Sequence, residues 1–360
     1  MSSDDFEFGL DAAAYVSLDA SGEQIDGAQV VRNTVEEAVL ADEVGIDSYN
    51  LGEHYRADFM DSAGTVMLAA MASRTKRIRL GTAVTVLSTQ DPVRVFTEFS
   101  TLDAVSDGRA QIIVGRGSLT DSFPLFGFDL ADYETLFEEK LDLFTRLVRK
   151  QPVTWSGTVR SSLKDQYVMP PLPAGHLPTW VGVGGSPQSV VRAAKYGLPV
   201  IFAVIGGHPS RFAPYIELYR RALGDFGHAP LPVGIHSHGY IGRTDEEAKD
   251  IQYPHWADMF AASKERGNLR PTRGHFETEI ADGSLYVGSP ETVATKLAAT
   301  IQLLGLTRFD LAYALGRVSH EQRMATIELY GREVIPRVRE LLESSSKEPA
   351  RSGAAFGVKA

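Results

Sequence analysis

The sequence predicts a single (β/α)₈ barrel. Three observations predict it. The chain has 360 residues, a length that suits one large α/β barrel with insertions. Eight short apolar runs recur along it, mostly followed by stretches of helical periodicity, which argues for parallel strands joined by crossovers. No stretch reads as a linker between independent domains.

The elements follow in order. The first apolar run covers residues 6–10. A helical pattern over 31–44 places Val31, Val35, Ala38 and Val39 on one face, and Gly45 is its stop. The second run is 48–52, with a helical stretch near 65–71. The third is 78–87, and Asp91-Pro92 then opens a helix with a cap and a proline at its first position. The fourth run, 109–114, precedes a helix over 133–148. Runs at 180–183 and 199–204 precede helices over 186–196 and 210–223. The seventh run is 233–241, with a helix from about Asp245. The eighth is 309–314, before a helix over roughly 321–342. Ser186-Pro187 to Gly197 and Ser289-Pro290 to Gly305 repeat one capping chemistry, which marks helices rather than an internal repeat.

Two insertions and a tail interrupt the rhythm. Residues 151–176 contain Thr154-Trp155-Ser156-Gly157 and a Pro-Pro pair, and read as a hairpin or loop. Residues 251–286 are long and mixed, and read as a mobile lid with apolar anchors Trp256, Met259 and Phe260 and a flexible run over 264–273. The barrel is thus expected over 1–343, with a polar tail over 344–360.

Composition narrows the function. Hydrophobic residues make up 43% and charged residues 23%, which is ordinary for a globular protein. The net charge is −10 with no basic block, so nucleic acid is not an expected partner. There is no cysteine, which excludes disulfides, thiolate metal sites and cysteine nucleophiles. No apolar run is long enough to span a membrane, and residues 1–5 lack the pattern of a signal peptide. A cytoplasmic location is expected.

In such a barrel, active residues sit where strands end. Strand two ends Leu51-Gly52-Glu53-His54-Tyr55-Arg56. His54 can exchange a proton near neutral pH, although the same residues also suit a salt-bridged surface loop. Strand three reads Gly81-Thr82-Ala83-Val84-Thr85, where small residues let a flat ring approach, or simply pack closely. Strand four ends Gly115-Arg116-Gly117, so Arg116 can reach a phosphate or face solvent from a tight turn. Strand five ends Gly184-Gly185-Ser186 at a helix start, where bare amides with Ser186 and Ser189 make an anion site or an ordinary cap. Strand seven carries His236-Ser237-His238, whose two imidazoles share a face. That spacing can ligate a metal, but no third ligand is placed to complete a set, so no metal is expected.

Taken in order, these segments resemble the luciferase-like flavin monooxygenase family. The pieces that carry the resemblance are Leu51-Gly52-Glu53-His54, Leu80-Gly81-Thr82-Ala83-Val84 continuing through Asp91-Pro92-Val93-Arg94, and Leu102-Asp103 to Ser106-Asp107-Gly108-Arg109. Ala193-Ala194 to Gly197-Leu198-Pro199 and Tyr286-Val287-Gly288-Ser289-Pro290-Glu291 add to them, so the match runs over about residues 6–341. The resemblance implies FMN across the C-terminal mouth, its ring against strand three with a cis bond between Ala83 and Val84. It implies phosphate contacts at Arg116, Gly185, Ser186 and Ser189, and a catalytic His54 oriented by Glu53 or Tyr55. His236 and His238 match positions on the substrate side. It further implies reduced FMN from a separate reductase, O₂ as co-substrate, a small organic substrate and a homodimer. The position of luciferase's reactive cysteine is Gly115 here, and an acidic residue beside the phosphate serine is replaced by Gly185. Both changes count against light emission and a long-chain aldehyde. Three other readings stay open: a deazaflavin-dependent hydride-transfer enzyme of this fold, a flavin-binding protein without turnover, and a metal-dependent hydrolase built on the strand-seven histidines.

Overall fold

The structure is a computed structural model, and it describes residues 6–19, 21–261 and 269–347. Eleven strands form among the described residues. They are β1 (Glu7–Ala12), β2 (Ser48–Leu51), β3 (Arg79–Val86), β4 (Ile112–Gly115), β5 (Val153–Trp155), β6 (Leu163–Gln166), β7 (Thr179–Val183), β8 (Val200–Ala203), β9 (Val233–Ile241), β10 (Tyr286–Gly288) and β11 (Arg308–Ala312). Eight of them run in the order β9-β11-β1-β2-β3-β4-β7-β8, and β8 pairs back onto β9 to close a parallel barrel. All eight expected runs are barrel strands. The 151–176 insertion is the antiparallel β5–β6 hairpin.

Alternation along the strands sorts the two faces. Phe8, Leu10, Tyr49, Leu51, Val114, Val181, Phe202, Ile235, Phe309 and Leu311 join the main core between barrel and helices. The helices start where short polar side chains cap them. Asp91 accepts from the amides of Val93 (2.9 Å) and Arg94 (3.2 Å), with Pro92 at the first position. That helix, Pro92–Ser106, stops at Asp107, whose φ of 58° is left-handed. The following Arg109 turns its guanidinium onto the carbonyls of Ala72 (3.0 Å), Thr75 (3.2 Å) and Ile78 (3.0 Å). The Ser106-Asp107-Gly108-Arg109 piece is thus a helix stop followed by a staple on the barrel's N-terminal side.

Two boundaries differ from expectation. The described residues of 251–286 are mostly helical rather than a loop. The helix Asp245–Ala261 runs on through Pro254, a second helix covers Arg273–Ala281, and β10 pairs with β9. Ala248, Gln252, Trp256 and Phe260 recur every four residues on the buried side of the first helix. Pro254 and Gln252 hide that stripe in the sequence. Ala248, Trp256 and Phe260 build a second core above the barrel with Phe276, Ile280, Leu285, Leu315 and Val318. The Ser284 hydroxyl accepts from the Gly206 amide at 2.7 Å and Glu279 from the Gly207 amide at 3.0 Å, which ties this unit to the loop after β8. The described part of the expected lid is therefore packed; residues 262–268, which hold the first half of the expected flexible run, lie outside the described residues. The C-terminal helix Ile335–Lys347 also passes the expected tail boundary at 344, after a π-helical turn at Tyr330–Val334, and residues 348–360 lie outside the described residues.

Gly9 faces the barrel interior, where a Cβ would stand 2.5 Å from Ser48 Oγ and closer still to Asp310 Oδ1. Gly9→Ala should therefore lower unfolding free energy by about 1–3 kcal/mol through overpacking. Denaturant unfolding checks it; an unchanged midpoint would mean that the interior has slack.

Candidate active site

The barrel interior is divided. On the β4-β7-β8 side it is apolar, with Ile113, Trp180 and Ile201 buried and Ala83 and Val84 packed on them. On the β11-β1-β2 side it is polar. Arg308 and Asp310 are fully buried and paired at 2.7 Å. Arg308 also donates to Gln111 (3.2 Å) and Ser48 (3.3 Å) and lies over the Trp180 ring. Asn50 donates to Asp310 and to Asp11, both at 3.1 Å, and accepts from Gln111 at 2.7 Å. Asp11 in turn meets His236 Nδ1 at 2.7 Å. His236 is level with Ala203, the last residue of β8, so this chain of bonds reaches the C-terminal rim.

Glycines clear the apolar side. A Cβ on Gly115 would come within 2.6 Å of Val84, and one on Gly182 within 2.7 Å. Val84 can therefore lie across the ends of β4 and β7. The Ala83–Val84 peptide is cis, as the resemblance implies.

At the end of β2, His54 is oriented by Asp61 rather than by Glu53 or Tyr55. Its Nδ1 lies 3.0 Å from Asp61 Oδ2, and its ring stacks on Phe59 at 4.1 Å. Asp61 is fully buried and also accepts from the amides of Ala14 (3.2 Å) and His54 (3.1 Å). Gly52 makes room, since a Cβ there would lie 2.5 Å from His54 Cε1. Glu53 is committed elsewhere. It accepts from the Val86 amide (2.9 Å), Gln90 (3.0 Å) and the Tyr55 hydroxyl (2.7 Å), and so holds the end of β3. Burial raises its carboxyl above the ordinary value, against those hydrogen bonds.

Arg116 leaves β4 and pairs with Glu134 over the Tyr133 ring. The other Glu134 oxygen meets Arg192 at 2.7 Å, and Arg192 sits on the helix Pro187–Lys195 that Ser186 caps. One carboxylate thus links Arg116 to the helix that follows β7. At that helix start, Ser186 Oγ accepts from the Ser189 amide (3.2 Å) and donates to Ser189 Oγ (2.8 Å). Gly185 has φ +97°, and a Cβ on Gly184 would meet nothing within 4 Å. The bare backbone therefore faces open space, which fits an anion. Phosphate binding there would take Arg116 from Glu134.

His236 and His238 part company. Their rings are 6.4 Å apart. His238 lines a cavity of about 10 Å³ with Trp256, Phe260, Glu279 and Ser284, room for roughly one water. Among the described residues, no group of three or more His, Cys, Asp or Glu side chains converges to hold a metal, and no helix is long and apolar enough to cross a membrane. Asp61, Asp11, Glu134 and Arg192 escaped the sequence reading. None stands at a diagnostic spacing from its partner.

Asp61→Ala should cost about 1–3 kcal/mol for each buried amide left unpaired, whereas His54→Ala should cost clearly less. Denaturant unfolding of both variants checks this; equal losses would mean that Asp61 anchors nothing but the histidine.

The family model for luciferase-like monooxygenases matches residues 12–308. The alkanal monooxygenase alpha chain of Photorhabdus laumondii is 25% identical over 88% of this chain and 95% of its own. Among solved structures, the monooxygenase RslO1 from Streptomyces bottropensis aligns with a TM-score of 0.77 at 24% identity, over 92% of this chain and 99% of that one. The oxygenating constituent of 3,6-diketocamphane monooxygenase from Pseudomonas putida, in complex with FMN, aligns at 0.76 and 19%, with the same coverage. A coenzyme F₄₂₀ dependent tetrahydromethanopterin reductase from Methanopyrus kandleri aligns at 0.66 and 18%, again over 92% and 99%. These likenesses between structures show a shared fold. The family match extends over most of the chain, from the last residue of β1 to the first residue of β11 with the six other barrel strands between them, and so this protein belongs to the luciferase-like monooxygenase family.

Proposed function

We propose that the chain is an FMN-dependent monooxygenase that oxygenates a small organic substrate with O₂, using reduced FMN delivered by a separate reductase. One observation carries this reading. A glycine-cleared apolar face, Ala83 and Val84 over Gly115 and Gly182, lies on the strands that lead to an open helix N-terminus, and Glu134 links Arg116 to that helix. A flat ring with a phosphate tail suits that pairing.

In this reading the ring rests on Ala83 and Val84. The phosphate is held by the amides of Gly184 and Gly185, the hydroxyls of Ser186 and Ser189, and Arg116 once it leaves Glu134. Bound reduced flavin supplies the reaction with oxygen, and the residues supply the setting. His54, its Nδ1 fixed by Asp61, holds or moves a proton at Nε2. Glu53 keeps the end of β3 in place beneath the ring. His236 faces the substrate from the polar side, whereas His238, read from the sequence as a second substrate-side residue, lies beneath the packed helices. Location in the cytoplasm belongs to the same reading, and so does a homodimer. Val66 and Val105, on the helices Gly64–Ala72 and Pro92–Ser106, are 71% and 56% exposed, so both helices keep an apolar side for a second copy.

The likeness to a coenzyme F₄₂₀ dependent enzyme supports a second reading, hydride transfer without oxygen. Anaerobic titration with reduced FMN, followed by mixing with oxygen, separates the two. Saturable binding with oxygen uptake supports the monooxygenase, and absence of FMN binding overturns it.

Arg116→Ala should weaken FMN binding by about 1.5–3 kcal/mol and leave riboflavin binding almost unchanged. Equal losses for both flavins in fluorescence titrations would remove the phosphate role. His54→Ala should bind FMN normally yet turn over about 10²–10⁴-fold more slowly. Turnover at the unmodified rate would take His54 out of the chemistry.

A further inference from the structure

We propose that Asp11 is a positioning residue that keeps His236 as an imidazolium, so that the rim presents a fixed cationic N–H donor to an oxygen that carries or gains negative charge. The inference deepens the monooxygenase reading and rests on it for the substrate side alone.

Geometry carries it. Asp11 is buried, and its Oδ2 lies 2.7 Å from His236 Nδ1. The other Asp11 oxygen is taken by Asn50 at 3.1 Å, so the carboxylate cannot swing away without breaking a buried bond. With Nδ1 so engaged, Nε2 is the ring's remaining donor on a side chain that keeps 22% exposure. The charges around it add up in one state only. The buried charges around it are the anions Asp11 and Asp310 and the cation Arg308, while Glu7 and Arg79, which pair with each other, are partly exposed. A proton on His236 supplies the missing positive charge, and without it one buried anion is left uncompensated. Asp11 faces His236 from β1, Asp310 from β11, and His238 is its neighbour on β9. Burial works against the charged ring, but the Asp11 hydrogen bond and charge, helped by Asp310, outweigh it and raise the His236 pKa. Burial also pushes the Asp310 carboxyl up to about 6, against the pull of Arg308.

The raised pKa fixes the sign. The donor is present below the His236 midpoint, which is raised above the ordinary value, and it is lost as pH rises through that midpoint. The test is a histidine titration by NMR on the flavin-free protein, with the His236 signal assigned from His236→Gln. The unmodified chain should titrate above the ordinary value of about 6.5, and Asp11→Asn should lower the midpoint by about one unit or more. A midpoint at or below about 6.5 in the unmodified protein overturns the proposal, and this holds even if Asp11→Asn does not fold. A folded Asp11→Asn protein with an unmoved midpoint overturns it as well. With the loaded enzyme, kcat should fall as pH rises through that midpoint, and the fall should move to lower pH in Asp11→Asn. A fall that stays in place removes the donor role. The titration needs no flavin, so failure of the monooxygenase reading and failure of the Asp11 assignment are separate results.

Discussion

The buried pair of Arg308 and Asp310 is the constraint on which the barrel interior depends. Both side chains are fully buried, and neither has water to fall back on. A buried ion pair of this kind gains little net stability over apolar packing, but losing one partner strands the other at a cost of about 3–5 kcal/mol. Everything near it is arranged to keep it satisfied. Gln111 and Ser48 occupy the guanidinium, Asn50 occupies the carboxylate, and Gly9 gives up its side chain to make room. Trp180 covers Arg308 from the opposite wall. That contact marks the boundary between the polar and apolar halves of the interior.

The division has a chemical consequence. A rim that is apolar on one side and hydrogen-bonding on the other can hold a flat ring against the first and direct polar groups at it from the second. The protein adds to this by closing the β9 side. The second core around Trp256 and Phe276 covers His238 and leaves His236 as the inner histidine. Water exclusion at that edge is then a property of packed helices. Such a cover protects a reactive site as long as the core beneath it holds.

Backbone positions carry much of the site's design. Gly52 admits the His54–Asp61 pair, Gly115 and Gly182 admit Val84, and Gly184 leaves the start of a helix uncovered. A methyl group at the first three would collide with a named neighbour, and at the fourth it would project into open space.

Periodicity and punctuation made the fold legible in the sequence. The eight apolar runs, the Asp91-Pro92 and Ser186-Pro187 starts, and the glycine stops are local signals set by backbone sterics and capping, so they read correctly without the rest of the chain. The strand ends were legible for the same reason, and with them Glu53, His54, Arg116 and the Gly184-Gly185-Ser186 turn. The helix Asp245–Ala261 was only partly so, because Pro254 and Gln252 mask a stripe that packing makes evident. What the tertiary structure alone decided is which groups meet. Asp61 orients His54 from seven residues away across a turn, Asp11 meets His236 from 225 residues away, and Glu134 stands between Arg116 and Arg192. Closing the barrel brings β1 and β9 to opposite sides of β11, and no local pattern encodes that meeting. By itself the sequence determined the strands, their ends and the residue types at the mouth, because those follow from short-range sterics. The pairings that set charge and orientation had to wait for the closed ring, because they are long-range contacts between residues whose neighbours in sequence say nothing of them.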